Sequence, residues 1–375
     1  MLVKPRMDEM LMIEPPGRIA AMPCLVPRKT EASGVSTMNA TINRQVRLAA
    51  RPVGMPKESD FALAEEPAPE PRPGQALVRV LSLSLDPYMR GRMSAAKSYA
   101  APVAIGGVMT GGAVGEVVRS EAPGLAEGDL VEGMFGWQEY ALCTRGSARV
   151  LPASPYPPSY ALGILGMPGA TAYFGLLEVG QPRPGDTVVV SAASGAVGAV
   201  VGQIARIGGC RVVGTVGSDE KAAYIRDELG FDAAINYRTA NDLGAALDDA
   251  CPDGIDVYFD NVGGPLTDAV MSRLAFKARV VVCGCIHHYN LTEPYLGPSH
   301  LRHILVNRAR VEGFLVFDWL ARYPEAFARL AAWLDAGTMT YREHVIEGLE
   351  NAPEGLGMLF EGRNFGKLVV KVAER

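Results

Sequence analysis

Thr187-Val-Val-Val-Ser-Ala-Ala-Ser-Gly195-Ala-Val-Gly198 decides the fold. A short apolar run without alternation, ending in small residues, reads as a strand covered by helices on both faces. The residues after it, Ala196 to Ile207, carry helix periodicity, so strand turns directly into helix. Within the turn, Ala193-Ser-Gly195-Ala-Val-Gly198 keeps the G-x-G-x-x-G register with alanine at the first position. Gly195, lacking a Cβ, lets a pyrophosphate approach the backbone, and Gly198 lets the helix pack on the strand. The amides and dipole at the helix start then favour the anion over Gly195, Ala196, Val197 and Gly198. Gly202, one turn on, extends the close packing. A dinucleotide site is the reading.

The pattern repeats downstream. Arg211-Val-Val-Gly-Thr215, Ile255-Asp-Val-Tyr-Phe259, Arg279-Val-Val-Val-Cys283 and Arg310-Val-Glu-Gly-Phe314 read as strands. A helix over Asp219 to Leu229 opens at Ser218, a good N-cap. Strands alternating with helices imply βαβ units and a doubly wound parallel sheet. Upstream, Gln75 to Ser84, Gly112 to Val118 and Leu130-Val131 after the Gly128-Asp129 turn read as antiparallel strands. Downstream, a helix is expected from Tyr323 to Leu334, ending before Gly337, and a last strand from Lys367 to Val372.

The end of the second strand chooses between cofactors. Where enzymes that use NAD place an acid to hold the ribose hydroxyls, this chain reads Thr215-Val-Gly217-Ser218. Without that repulsion a 2′-phosphate fits, with Lys221 beside it. NADP, reduced as NADPH, is the expected cofactor.

The chain's 375 residues suggest about two domains. A hydrophobic share of 48% and a charged share of 21% are those of a globular protein. With a net charge of -5 there is no basic field to attract nucleic acid or anionic lipid. No apolar run approaches the ~20 residues of a membrane span, and no signal peptide is visible. The cytoplasm is the expected location, and the six scattered cysteines read as reduced thiols. Residues 1–41 lack any sustained period and are expected to be a disordered extension, with translation starting at Met38.

Cys283-x-Cys285 followed by His287-His288 invites a metal reading. No second ligand pair with zinc spacing accompanies it, so no metal is expected, and these residues are read as lining the cofactor. Nucleophile elbow, P-loop and H-E-x-x-H motifs are absent, which removes the usual sequence support for hydrolysis and phosphoryl transfer. Hydride transfer remains.

Six motifs go further: Asp86-Pro-Tyr-Met-Arg-Gly91, Met167-Pro-Gly-Ala-Thr-Ala-Tyr173, Ala192 to Ala205, Gly217-Ser-Asp-Glu-Lys221, Phe259-Asp-Asn-Val-Gly-Gly264 and Asn364-Phe-Gly-Lys367. In these, the chain from about Asn43 onward resembles the zinc-free leukotriene dehydrogenase/prostaglandin reductase family of the medium-chain dehydrogenase/reductase superfamily, which includes alkenal and curcumin reductases. The resemblance implies an α/β architecture. A GroES-like β-rich catalytic domain (42–164, completed by 318–375) would flank a Rossmann NADP-binding domain (165–317), with the active site between them. It implies that Gly195 to Gly198 hold the pyrophosphate, Lys221 and Tyr237 the 2′-phosphate region, and Asn261 the ribose or phosphates. Cys283, Gly284, Tyr289, Phe314, Val316 and Asn364 would enclose the nicotinamide half.

The implied reaction is NADPH-dependent reduction of the carbon–carbon double bond of an α,β-unsaturated aldehyde or ketone, with hydride delivered to the β-carbon. The developing enolate would be stabilised by the nicotinamide ribose hydroxyl and a tyrosine. Tyr289 is the leading candidate for that tyrosine, and Tyr88 is the candidate substrate contact. Zinc-dependent relatives carry ligands where this chain has Leu85-Asp86-Pro87 and Gly106-Gly107-Val108. Val306 stands where eicosanoid-handling members tend to carry a tyrosine, which points to a generalist on alkenals, alkenones or phenolic enones. A homodimer is implied by the family. The alternatives are a quinone reductase of the same superfamily and a non-catalytic NADPH-binding protein.

Overall fold

In the computed structural model, residues 41–375 are described. The expected disorder of 1–41 and the start at Met38 concern a segment that lies, but for Thr41, outside those residues.

The strands are β1 (Ile42–Leu48), β2 (Phe61–Pro67), β3 (Ala76–Ser84), β4 (Ala113–Ser120), β5 (Leu130–Gly133), β6 (Tyr140–Cys143), β7 (Ala148–Val150), β8 (Thr187–Val190), β9 (Arg211–Val216), β10 (Ala233–Asn236), β11 (Ile255–Asp260), β12 (Leu274–Val282), β13 (Arg310–Gly313), β14 (Glu343–Glu347) and β15 (Lys367–Lys371). The helices are α1 (Tyr88–Arg92), α2 (Met167–Phe174), α3 (Gly198–Ile207), α4 (Asp219–Asp227), α5 (Leu243–Ala250), α6 (Gly264–Met271), α7 (Leu301–Asn307), α8 (Tyr323–Asp335) and α9 (Ala352–Glu361).

Six parallel strands run in the order β10-β9-β8-β11-β12-β13. This is the doubly wound Rossmann order, and the chain reverses direction between β8 and β11, where such sheets open a ligand crevice. The apolar run at Val188–Val190 is explained by the two faces it serves. Val188 and Val190 pack with Val200 and Ile204 of α3, while Val189 packs with Leu247 of α5 and Val270 of α6. Five of these strands were expected and six are present. The sixth, β10, is Ala-Ala-Ile-Asn, with one β-branched residue to signal it. Two boundaries also shift: α3 starts at Gly198 instead of Ala196, and β12 starts at Leu274 instead of Arg279.

The other half is a mainly antiparallel sheet in the order β14-β15-β3-β4-β5-β7, with β6 also on β3 and the β1–β2 hairpin as a separate pair. Its core gathers Leu83, Met89, Met93, Met109 and Trp137 with Leu356 of α9 and Leu368 of β15. The C-terminal strand returns to β3 in antiparallel register. Helix α8 forms as expected, but its Leu330 is buried with Val188 and Val200. Its packing allies it with the nucleotide half, not with the β-rich half to which the boundary at 317 assigned it.

Candidate active site

One cavity of about 1710 Å³ lies between the halves, lined by the residues expected to hold cofactor, Gly195, Ala196, Val197, Gly198, Lys221, Tyr237, Asn261, Cys283, Gly284, Tyr289, Phe314, Val316 and Asn364, with Tyr88 opposite. Chain folding puts them there because each follows the C-terminal end of a parallel strand or comes from the β-rich side.

After β8 the chain turns at Ala192, a non-glycine residue at φ 49°, into the glycine segment. A Cβ on Gly195 would meet only the Ala192 carbonyl oxygen, at 3.1 Å, and otherwise faces open space. One on Gly198 would overlap the Ala192 backbone, so that glycine is sterically required. Gly202 closes against the Phe231 ring, not against β8. The amides of Ala199, Val200 and Val201 donate to the Gly195 and Val197 carbonyls, whereas those of Ala196, Val197 and Gly198 meet no backbone acceptor, which leaves these three available to an anion. Gly195 also bridges to Gly366, which brings the Asn364–Lys367 segment alongside the turn.

After β9, Ser218 caps α4 by accepting from the Lys221 amide at 3.2 Å. Lys221 is only 9% exposed. Its Nζ donates to the Gly362 carbonyl at 2.6 Å, at the C-terminal end of α9. Burial, and then the like charge of Arg238, lower its pKa from the usual lysine value. Arg238 donates to the adjacent Glu361 carbonyl at 2.7 Å. Its Nε lies 3.3 Å, and the Tyr237 hydroxyl 2.8 Å, from where a Gly217 Cβ would sit. A guanidinium and a phenol thus flank Gly217, with Lys221 on the helix that follows it, a donor set that suits a phosphate. The nearest acid in sequence, Asp219, is engaged by Asn236 at 2.7 Å. Sequence reasoning missed Arg238, whose only signal was a basic residue next to Tyr237.

After β11, Asp260 is buried and accepts from Tyr258 Oη (2.9 Å), Thr267 Oγ1 (2.6 Å) and the Val262 and Gly263 amides (both 2.9 Å). Asn261 is held by Ser191, donating from Nδ2 to the Ser191 carbonyl and from its amide to Ser191 Oγ, both at 2.7 Å. After β12, burial pushes the Cys283 thiol up to about 12 and raises that of Cys285, so both stay protonated at neutral pH. Cys283 and His287 line the cavity, whereas Cys285 and His288 do not. Among the described residues no group of three or more His, Cys, Asp or Glu side chains is placed to hold a metal ion.

Burial, followed by the nearby charge of Asp86, raises the Tyr88 pKa far above the phenol value. Burial likewise raises that of Tyr289. Both phenols are therefore protonated hydrogen-bond donors at neutral pH. Below Tyr88, Lys367 is 1% exposed and donates from Nζ to Ser84 Oγ (2.6 Å), the Leu85 carbonyl (2.9 Å) and Asp86 Oδ1 (2.8 Å). Ser84 in turn bonds Asp86. This ammonium fixes the turn that leads into α1, a role that its place in a motif did not reveal. Val306 is exposed on α7 and is not among the cavity-lining residues, so within one chain it carries no information on substrate.

A Rossmann sheet, a glycine turn at its switch point and a cleft shared with a β-rich half define a two-domain dinucleotide-dependent oxidoreductase. Family comparison agrees. Residues 44–151 match the family described as N-terminal domain of oxidoreductase, and 196–334 the family described as zinc-binding dehydrogenase. The NADPH-dependent curcumin reductase of Escherichia coli (strain K12) is 46% identical, over 88% of this chain and 97% of that protein. The NADP(+)-dependent 2-alkenal reductase of Nicotiana tabacum is also 46% identical, over 88% of this chain and 98% of that protein. The crystal structure of CurA from Vibrio vulnificus in complex with NADPH superposes with a TM-score of 0.85 at 48% identity, covering 88% of this chain and 100% of that one. The chain belongs to the zinc-free alkenal/curcumin reductase family of the medium-chain dehydrogenase/reductases.

Proposed function

We propose that this chain reduces the carbon–carbon double bond of α,β-unsaturated aldehydes and ketones with NADPH. The observation that carries the reading is the single cavity joining a phosphate-suited glycine turn and Lys221 to two protonated phenols. Gly195, Ala196, Val197 and Gly198 hold the pyrophosphate, while Lys221 and Tyr237, joined by Arg238, hold the 2′-phosphate. Asn261 serves the ribose or phosphates, and Cys283, Gly284, Phe314, Val316 and Asn364 enclose the nicotinamide half.

The reduced nicotinamide, when bound, supplies the hydride that goes to the β-carbon. Tyr289 donates a hydrogen bond to the substrate carbonyl oxygen as negative charge builds there, and Tyr88 positions the substrate. Protonation at the α-carbon completes the reduction.

A panel of 2-alkenals, 2-alkenones, quinones and alcohols, each with NADPH and NADH, tests this. Turnover of enals or enones with NADPH is expected. Quinone turnover alone, NADPH binding without any turnover, or preference for NADH would overturn it. For cofactor choice, Lys221→Ala is expected to weaken NADPH binding about 10- to 100-fold, from roughly 1.5–3 kcal/mol for a hydrogen bond to a charged group. NADH binding, read in the same fluorescence titration, should change little.

The working form is a homodimer built on β13. That strand is one of the two edges of the parallel sheet, all four of its residues are exposed, and Leu301 and Leu305 of α7 are exposed beside it in sequence. Light scattering on the purified chain should give twice the monomer mass. A monomer at micromolar concentration would refute it. No helix among the described residues is long and apolar enough to cross a membrane. A cytoplasmic location agrees with the five unpaired cysteines there. The division into a β-rich domain (42–164 with the C-terminal part) and a nucleotide domain (from 165) is kept as part of this reading, with α8 counted in the nucleotide domain because Leu330 packs there.

A further inference from the structure

Helix α1 is five residues long, yet two of its side chains serve different tasks. Tyr88 lines the cavity, whereas Arg90 is only 7% exposed. Arg90 donates from Nε to Asn290 Oδ1 at 2.9 Å, and from one terminal nitrogen to the Gly54 carbonyl at 3.0 Å and the Pro52 carbonyl at 3.2 Å. It forms no ion pair with a carboxylate among the described residues. Its charge is met there by neutral oxygens from two places far apart in sequence.

Asn290 follows Tyr289 directly, in the segment that leaves β12 of the nucleotide half. Its Nδ2 also contacts Met55 Sδ at 3.3 Å. Asn290 O and Thr292 Cγ2 approach to 3.8 and 3.7 Å of where a Gly54 Cβ would sit. The segment carrying Tyr289 is therefore docked on the 52–55 loop of the β-rich half, with a buried guanidinium at the junction. Met55 and Asn290 both line the cavity, so the junction is also part of its wall.

We propose that Arg90 is a positioning residue, a latch that holds the 285–292 segment across the cleft and thereby sets the place of Tyr289. This rests on the reading that Tyr289 faces the reacting carbonyl. A guanidinium suits the task because its rigid fork reaches acceptors in fixed directions, which a single ammonium cannot reproduce.

The test uses the full chain with Arg90→Lys, Asn290→Ala and the double variant. Hydrogen exchange of residues 285–292 is expected to quicken in each single variant, with exchange in β8 and β11 unchanged. Each single variant should lose about tenfold in kcat for an enone while the NADPH dissociation constant stays within a few-fold. The double variant should lose little more than the worse single variant, because the Arg90–Asn290 contact that joins the segment is already gone in each. Unchanged kcat, additive losses, or unaltered exchange in 285–292 would overturn the latch. Should Arg90→Lys fold poorly, Asn290→Ala carries the same readouts. The Tyr289 reading fails separately: if Tyr289→Phe turned over normally while both latch variants still showed coupled losses and faster exchange, the latch would stand with a different client.

Discussion

Tyr289→Phe is expected to lower kcat for an enone by about 10²–10³, the usual cost of deleting one oxyanion donor. The expectation follows from position and protonation together. The phenol lies in the cavity wall, with its oxygen 3.7 Å from where a Gly284 Cβ would sit, and burial keeps it protonated. It can therefore donate to an oxygen on which charge accumulates, a bond that strengthens toward the transition state. Phenylalanine preserves the ring that packs there, so NADPH affinity should change little. Tyr88→Phe is expected to act chiefly on KM, because its role is to position substrate. Steady-state kinetics with a 2-alkenone and NADPH separate the two. Full turnover and unaltered cofactor affinity in Tyr289→Phe would remove Tyr289 from the chemistry.

Lys367→Met is expected to cost about 3–5 kcal/mol of stability, the range found when one partner of a buried ion pair is deleted. The loss comes from what remains: Asp86, itself buried, would be left without its ammonium partner, with Ser84 as its remaining side-chain contact. At roughly 2–4 °C per kcal/mol the melting temperature should fall by about 10 °C. Adding Asp86→Asn should restore a large part of that, since the neutral amide needs no counter-charge. A thermal melt of the single and double variants decides the matter. A single variant melting within a degree or two of the parent, or a double variant less stable than the single, would contradict this account of the pair.

The parts of the fold that could be read from sequence are those whose cause is local. Val188 to Val190 announced a doubly covered strand because both faces need apolar side chains. Gly198 announced the turn because a Cβ there would strike the backbone of Ala192, six positions before it. Ser218 could be recognised as a cap because the amide it serves is three residues away. Strand β10 stayed hidden because pairing with β9, not side-chain pattern, defines it. Helix α8 was seen, but its partner was not, since periodicity marks an apolar face without saying what covers it.

The same division applies to the site. Backbone requirements pointed to the glycine turn and the end of the second strand pointed to Lys221, whereas family resemblance proposed the remaining cofactor residues and their roles. Arg238, Arg90 and Lys367 escaped because each acts through a contact distant in sequence. Arg90 and Asn290 are 200 residues apart, and Lys367 and Asp86 are 281 apart. Two of these three stood inside quoted motifs, which show that a residue matters without showing what it touches.

The return of β15 to β3 also bears on how the protein comes into being. During synthesis β3 emerges early and then waits, its Ser82–Ser84 end unpaired on one edge beyond β6, while the entire nucleotide half is made, because the strand that pairs with that end follows α9. The nucleotide half is complete on the ribosome before its neighbour can close. Assembly is thus nested: the first half to begin is the last to finish, and it closes only after its partner's chain has been made.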